Sequence, residues 1–292
     1  MGKTDLNIAL KTEVLLEALP YFQQFHGSTF VVKIGGSFLE APGALERVAT
    51  DLVFLASVGI KVVVVHGGGK AISRAMEAAA IDPVFKNGLR VTDAKTVSIV
   101  EKTLNGTINL GVVEKMQAAK GRPVGVYGQQ VLTCEKLTQD SQGNPVDIGF
   151  VGEVTRIYRE KIQSLLDQGY TPVISPVAMD AAEQLYNVNA DVAASHIAGG
   201  LLARRLVFLC DVPGLLSDPK NPETLISTLR VGDVDRLVET GVIGTGMMPK
   251  VESAINALQK GVHRVHFIDG RVPHSLLLEI FTDKGIGTEI VN

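Results

Sequence analysis

The chain has 292 residues, a net charge of −3 and 46% hydrophobic residues, which is enough apolar content for a sizeable core. The charge balance excludes a broad basic surface for nucleic acid, and two cysteines, Cys134 and Cys210, exclude a disulfide framework and a four-cysteine zinc site. No charge-free apolar run is long enough to cross a membrane, and the first residues lack a secretory-signal pattern, so we expect a cytoplasmic protein.

Hydrophobic periodicity predicts an amino-terminal helix over residues 6–19, ended by Pro20. Strands and helices then alternate. The predicted strands are 29–32, 61–65, 123–127, 172–174, 206–209, 264–268 and 287–291. The predicted helices are 44–58, 71–80, 92–120 (one helix or two), 160–168, 191–202, 233–240, 249–260 and 275–282. Two polar segments, 135–153 and 217–230, are predicted to be hairpin or loop excursions.

This alternation predicts an α/β fold with a mainly parallel central sheet and helices on both faces. We expect one continuous fold with two lobes, because no low-complexity linker interrupts the chain.

Three glycine clusters stand at strand ends or helix starts: 35–36, 67–69 and 244–246. Glycine allows the close backbone approach that phosphate or carboxylate binding requires, although glycines also punctuate ordinary turns. The middle cluster is not a P-loop, because Ala71 follows Lys70 where Ser or Thr is needed. It is not a dinucleotide fingerprint either, because Ile72 stands in place of the third glycine.

A lysine accompanies each cluster. Lys33 follows the apolar residues 30–32, where a buried ammonium would need an anionic partner. Lys250 stands at a predicted helix start, where it can reach a bound anion. Lys70 is more simply a surface group.

Five motifs occur in an order that resembles the amino acid kinase family. They are Lys33-Ile34-Gly35-Gly36, Val65-His66-Gly67-Gly68-Gly69, Asn87-Gly88-Leu89-Arg90-Val91-Thr92, Asn187-Val188-Asn189-Ala190-Asp191 and Gly246-Met247-Met248-Pro249-Lys250. The set is most similar to the arginine-sensitive members that phosphorylate N-acetyl-L-glutamate in arginine biosynthesis.

The resemblance implies a three-layer α/β/α sandwich. Residues 26–292 would form the kinase domain, with an acceptor-binding lobe over about 26–195 and an ATP-binding lobe over about 196–292. Residues 1–25 would form a helical oligomerisation arm.

It also implies ATP-dependent phosphorylation of the γ-carboxylate of N-acetyl-L-glutamate. Lys33, Lys250 and Asp191 would be catalytic, although Asp191 near a helix start could simply complement the helix dipole. Mg²⁺ would accompany ATP, held by phosphate oxygens rather than by a dedicated protein metal site. The implied substrate-binding residues are Gly68, Gly69, Arg90 and Asn187, and the implied phosphate-binding residues are Gly35, Gly36, Gly67 and Gly246.

The arginine-sensitive branch would place an arginine site around His266, Glu279 and Gly285. It would also imply a homo-oligomer, a hexamer rather than a dimer, and a PII-type signal protein as a candidate partner. The plainer interpretation is an ordinary end helix and an ordinary closing βαβ unit.

Three other functions are open at this point. The first is a kinase of the same family that acts on a carrier-linked aminoadipate. The second is a non-catalytic sensor of arginine or nucleotide, against which the joint presence of Lys33, Asp191 and Lys250 argues. A dinucleotide-dependent oxidoreductase is the third.

Overall fold

A computed structural model describes residues 8–35, 41–140, 143–218, 220–244 and 246–292. Gly36, one of the predicted phosphate-binding residues, lies outside these ranges. The described strands are β1 (Thr29–Ile34), β2 (Lys61–His66), β3 (Phe85–Lys86), β4 (Leu89–Arg90), β5 (Pro123–Val126), β6 (Leu132–Lys136), β7 (Gly152–Ile157), β8 (Thr171–Ile174), β9 (Val177–Met179), β10 (Leu185–Asn187), β11 (Arg205–Cys210), β12 (Thr228–Arg230), β13 (Arg264–Asp269) and β14 (Thr288–Val291).

The helices fill most of the connections. The described α-helices are α1 (Ile8–Phe25), α2 (Ala44–Ser57), α3 (Gly69–Ala78), α4 (Ala94–Glu101), α5 (Asn109–Ala118), α6 (Arg159–Asp167), α7 (Ala190–Gly200), α8 (Val234–Glu239), α9 (Met248–Gln259) and α10 (Ser275–Ile280). A π-helix, Lys102–Ile108, joins α4 to α5 without a break.

Eight strands form the central sheet in the order β12-β14-β13-β11-β1-β2-β8-β5. The six from β13 to β5 are mutually parallel, and β14 runs antiparallel to β13. The expected α/β fold with a mainly parallel sheet is therefore confirmed. A four-stranded sheet in the order β10-β9-β6-β7 and the β3–β4 hairpin form the remaining strand pairs.

Buried side chains alternate between the two faces of the central sheet, and each face has its own helices. Phe30, Val32 and Ile34 of β1 pack in one cluster with α2, α5 and α10. Val31 packs in the other cluster, with α6, α7 and α9. Since side chains alternate along a strand, Lys33 lies on the Val31 face, the face that α7 covers. This alternation decides which helix the lysine can reach.

The amino-terminal helix differs from the prediction. Pro20 lies inside α1, which continues to Phe25. The prediction that Pro20 ends the helix is wrong, because the last turn is held by aromatic packing. The Phe22 ring contacts the rings of Phe54 and Phe281, and such packing outweighs the hydrogen bond that proline removes.

The longest predicted helix, 92–120, is a single rod whose centre is the π-helix. Its buried residues continue from Thr103, Leu104 and Asn105 of the π-helix to Asn109, Val112 and Met116 of α5. In the parts of the chain that the structure describes, no helix has the length and apolar character needed to cross a membrane.

Candidate active site

The parallel strands place their carboxyl ends along one edge of the central sheet. Ile34 at the end of β1 is in register with His66 of β2 on one side and with Leu209 of β11 on the other. The chain passes from β1 to β2 and returns only later to β11, so the strand order reverses beside β1. Ligands bind at such a point in open α/β sheets.

A cavity of about 220 Å³ lies at this edge. Eight of the predicted site residues line it: Lys33, Gly35, Gly67, Gly68, Gly69, Arg90, Asn187 and Asp191. A larger and more open groove of about 650 Å³ runs beside β5 and α6, but none of the predicted residues lines it. The cavity at the strand ends is therefore the candidate active site.

One carboxylate joins two lysines at the centre of the site. Asp191 lies in the first turn of α7, where the side chain of Asn189 accepts hydrogen bonds from the backbone N–H groups of Asp191 and Val192. The Nζ atom of Lys33 lies 2.8 Å from one Asp191 carboxylate oxygen, and the Nζ atom of Lys250 lies 2.7 Å from the other. Lys250 comes from the first turn of α9, which packs beside α7.

The charges of this trio are mutually dependent. Burial alone would raise the pKa of Asp191, but the charges and hydrogen bonds of Lys33 and Lys250 lower it to about 2. Burial likewise opposes the charge of Lys250, yet the Asp191 carboxylate outweighs it and raises the pKa of that ammonium. The trio thus combines one carboxylate with two ammonium groups, an excess of positive charge beside the cavity.

Gly35 explains how Lys33 reaches this position. The Lys33 ammonium folds back over Gly35, the residue that follows β1, and a Cβ atom on Gly35 would overlap it. Only glycine leaves this space free.

Two helices direct their amino ends into the same cavity. α3 begins at Gly69 and α7 at Ala190, and both residues line the cavity. The first N–H groups of a helix have no partner within it and carry a partial positive charge. Backbone and side chains together therefore create a site for a strongly anionic ligand.

Arg90 forms a second, buried positive centre. Its Nη2 atom donates to the carbonyl oxygen of Gly69 at 2.8 Å and to the hydroxyl of Ser73 at 2.9 Å, and its guanidinium lies over the Phe85 ring. Burial lowers the pKa of Arg90. Among the described residues no carboxylate lies within ion-pair distance of this guanidinium, which leaves it suited to an anionic ligand.

Asn187 lies at the end of β10, and the polar segment before β7 holds it in place. Its side chain donates to the Thr92 hydroxyl at 3.3 Å, and its backbone N–H donates to the Phe150 carbonyl oxygen. Gly149 has a φ of +77°, and its Cα approaches the Thr92 carbonyl so closely that a Cβ would overlap it. The excursion 135–153 is thus a wall of the site.

Apart from Lys250, the other predicted residues that the structure describes lie outside the cavity. Gly246 is in the turn before α9 and is not among the residues that line the cavity. His266 and Glu279 form a separate buried pair, with Nδ1 and Oε1 2.7 Å apart, and Gly285 packs against the Glu279 carboxylate. Burial by itself would raise the pKa of Glu279, but its hydrogen bond with His266 lowers it.

Sequence reasoning missed several residues that shape the site. Thr92 is fully buried between Arg90 and Asn187, and Ser73 binds the Arg90 guanidinium. Asn109 contacts His66 from beneath the glycine turn. Asn189 could have been found, because Asn one or two residues before a helical run is a typical amino-terminal cap. The others carry no local signal, since long-range packing brings them to the site.

Comparison with known proteins connects this geometry to a family. Residues 28–269 match the model of the amino acid kinase family. The chain belongs to the amino acid kinase family. The resemblance inferred from the five motifs is thereby confirmed.

The sequence relatives of this amino acid kinase narrow the comparison. Acetylglutamate kinase from Synechococcus elongatus is 48% identical over 287 residues, which cover 98% of this chain and 94% of the relative. Acetylglutamate kinase from Akkermansia muciniphila is 45% identical over 96% of this chain and 95% of its own. The homologous enzyme from Methanocaldococcus jannaschii is 44% identical, with 99% of both chains covered.

Solved structures agree with the fold of this amino acid kinase. N-acetylglutamate synthase from Neisseria gonorrhoeae, complexed with coenzyme A and N-acetyl-glutamate, has a TM-score of 0.85 at 28% identity. The match covers 96% of this chain but only 63% of the synthase chain, so the synthase is considerably longer. Carbamate kinase from Giardia lamblia, bound to AMP-PNP, shares the fold with a TM-score of 0.66 at 18% identity and 91% and 99% coverage.

Proposed function

We propose that this chain transfers the γ-phosphoryl group of ATP to the γ-carboxylate of N-acetyl-L-glutamate. The observation that carries the proposal is the pair of lysines on Asp191, opposite a turn of glycines at the carboxyl edge of the sheet. The acetylglutamate kinases to which the chain is similar over nearly its full length support the choice of acceptor.

The chemistry requires charge neutralisation more than proton transfer. An acceptor carboxylate is already ionised at neutral pH and needs no general base. One of its oxygens forms a bond to the γ-phosphorus while the bond from that phosphorus to the β,γ-bridging oxygen breaks, and ADP takes the released electron pair. Two anions must meet, so the ammonium groups of Lys33 and Lys250 offset their repulsion.

Each group at the site receives a role from its position. Lys33 and Lys250 would contact the transferring phosphoryl group, and Asp191 would hold both ammoniums in place. The backbone N–H groups of residues 67–69 would donate to phosphoryl and acceptor oxygens. Arg90 would pair with the α-carboxylate of the acceptor, because its guanidinium is buried beside the cavity without a described carboxylate partner.

ATP binding by this family implies Mg²⁺, which the phosphate oxygens and water would hold. Across the described ranges, no group of three or more His, Cys, Asp or Glu side chains is arranged to bind a metal ion. Asp191, the carboxylate nearest the cavity, is already engaged by two lysines. The ion would supply additional charge neutralisation at the phosphates.

The proposed roles also divide the chain into an acceptor lobe and an ATP lobe. Lys33, Arg90 and Asn187 all belong to the proposed acceptor lobe, about 26–195. Lys250 belongs to the proposed ATP lobe, about 196–292, whose turn at Gly246 would approach the nucleotide phosphates.

Regulation by arginine is part of the proposal. The His266–Glu279 pair and Gly285 would form the effector site. The Tyr21 hydroxyl of α1 donates to the Asp283 carboxylate, which connects α1 to this segment. The exposed side chains of Val14, Leu15 and Leu16 on α1 support its role as the arm of a homo-oligomer, with a hexamer favoured.

A coupled assay of ADP formation tests the function. N-acetyl-L-glutamate should support turnover, whereas aminoadipate derivatives should not. Lys33→Ala and Lys250→Ala should each lower kcat by about 100-fold or more, the usual effect of deleting a charge-stabilising donor. Lys61→Ala is the matched control, because Lys61 pairs with the exposed Asp167 and is not among the residues that line the cavity. Absence of turnover with N-acetyl-L-glutamate in the unmodified protein would refute the proposal.

A further inference from the structure

His66 is a buried histidine directly before the glycine turn, and its ring contacts two groups. Its Nδ1 atom lies 3.1 Å from the carbonyl oxygen of Gly67, and its Nε2 atom lies 3.1 Å from the amide nitrogen of Asn109. The side chain is fully buried, and burial lowers the pKa of His66 to about 4. The ring is therefore neutral at physiological pH and carries one proton.

The position of that proton follows from Asn109. The Asn109 amide nitrogen also lies 2.8 Å from the carbonyl oxygen of Val173, and a carbonyl oxygen can only accept. The NH₂ group therefore faces both Val173 and His66, and its second hydrogen points at Nε2. Since Nε2 must accept, the proton is on Nδ1, which donates to the Gly67 carbonyl oxygen.

This hydrogen bond orients a peptide group of the active site. The Gly67–Gly68 peptide is planar and trans, so its N–H points opposite to its C=O. The C=O is directed at the buried imidazole. The Gly68 N–H is consequently directed away from the imidazole, and Gly68 is among the residues that line the cavity. The Gly67 N–H, for its part, donates to the Ile34 carbonyl oxygen at 2.7 Å.

We propose that His66 is a positioning residue for phosphoryl transfer: its Nδ1–H, held in that tautomer by Asn109, directs the Gly68 N–H at the transferring phosphoryl group. This inference rests on the proposed function. It assigns to His66 more than a packing role in the turn. It also gives a role to the buried Asn109, the first residue of α5 after the π-helix.

Two substitutions of His66 distinguish a role in positioning the Gly67–Gly68 peptide from a role in packing alone. An asparagine at this position can place its NH₂ group where Nδ1 lies, whereas a glutamine reaches the Nε2 position instead. His66→Asn therefore retains the donor to Gly67, and His66→Gln retains only the contact with Asn109. If His66 merely fills space, the larger glutamine should be the better replacement.

The experiment compares kcat, KM and thermal stability of the two variants, with ¹⁵N NMR of the histidine ring in the unmodified protein. We expect His66→Gln to lower kcat by about 100-fold, the effect of misdirecting one backbone donor, and His66→Asn to retain kcat within about fivefold. KM for N-acetyl-L-glutamate should change little in either. Equal kcat values, or a faster His66→Gln variant, would overturn the proposal.

The NMR measurement keeps the test decisive if a variant does not fold. A protonated Nδ1 and an unprotonated Nε2 on the ring of His66 support the inference, and the opposite tautomer contradicts it. Lack of acetylglutamate turnover in the unmodified protein would refute the proposed function. If the unmodified protein turns over acetylglutamate but His66→Asn and His66→Gln have equal kcat values, only the role of His66 is refuted.

Discussion

The Lys33 ammonium lies 2.8 Å from the carboxylate of Asp191, although Lys33 belongs to the first strand and Asp191 to the first turn of a helix far along the chain. Both residues are buried, each with 7% of its surface exposed. A buried ion pair is stable only when its members are fully partnered, and here Lys250 occupies the second carboxylate oxygen. The carboxylate therefore fixes the spacing of two cations.

Asp191→Asn should separate the two roles of this carboxylate. The amide cannot hold two ammoniums, which then repel each other and move, so kcat should fall by about 100-fold or more. KM for ATP should not rise, because the freed lysines still attract phosphate. Steady-state kinetics check both values, and Asp167→Asn, on the surface, is the matched control. An unchanged kcat would show that Asp191 does not position the lysines.

Gly35→Ala should displace Lys33 without unfolding the protein. The added Cβ would overlap the Lys33 ammonium, the flexible end of a side chain, which must leave Asp191. We expect kcat to fall by at least about tenfold, the effect of a misplaced charge donor. The control is Gly111→Ala, where a Cβ meets nothing within 4 Å. Equal activity of the two variants would contradict the assigned position of Lys33.

Arg90→Lys should weaken binding of the acceptor more than it slows transfer. A lysine cannot donate to Gly69 and Ser73 and also present a planar pair of donors to a carboxylate. Loss of one charge-assisted hydrogen bond costs about 1.5–3 kcal/mol, so KM for N-acetyl-L-glutamate should rise by about 10- to 100-fold. Arg122→Lys, where the guanidinium lies over the Tyr170 ring, should leave KM unchanged. A rise in KM for ATP instead would reassign Arg90 to the nucleotide.

Much of this site could be predicted from the sequence, but for two different reasons. Lys33 and the glycines lie at strand ends. A charged residue and glycines directly after a run of apolar residues are a local signal in the sequence, and that signal identified them. Asp191 was located through motif order and Lys250 through its place after the third glycine cluster, and no periodicity relates either residue to Lys33. Thr92, Ser73 and Asn109 could not be found, because their roles depend on how distant segments pack. The helix end at Pro20 was wrong for the same reason, since aromatic packing overrode a local rule.

His66 should make the fold sensitive to mild acid. Its pKa is near 4 in the folded chain, against an ordinary value near 6.5, so between these values the unfolded chain binds more protons. Stability should therefore increase as the pH rises from 4 to 6.5, by about 3 kcal/mol from His66 at one pKa unit per 1.36 kcal/mol. His196, with its pKa also lowered to about 4 by burial, acts in the same direction.

Urea unfolding at several pH values measures this dependence. Because His66→Asn removes one titrating group and leaves His196, the difference between the two proteins isolates His66. Parallel stability curves for the variant and the unmodified protein would exclude His66 as the source of the slope.

Gly149→Ala should damage the acceptor wall more than its backbone strain alone explains. Gly149 and Gly143 have φ angles of +77° and +81°, so alanine is strained at both. At Gly149 the Cβ would overlap the Thr92 carbonyl, whereas at Gly143 it would meet no atom of the described residues within 4 Å. We expect Gly143→Ala to cost about 1 kcal/mol of stability and Gly149→Ala to cost more, with a higher KM for the acceptor. Equal unfolding free energies would show that the overlap is relieved at no cost.

The amino ends of α3 and α7 at the cavity contribute positive charge that side-chain substitutions cannot remove. The partial positive charge at these ends belongs to the backbone and remains whichever side chain is replaced. A variant that lacks either lysine still presents oriented N–H groups to an incoming phosphate. Single-site variants should accordingly retain measurable affinity for the nucleotide. A variant that binds ATP and the acceptor but no longer transfers the phosphoryl group would allow both unreacted substrates to be trapped together in the site.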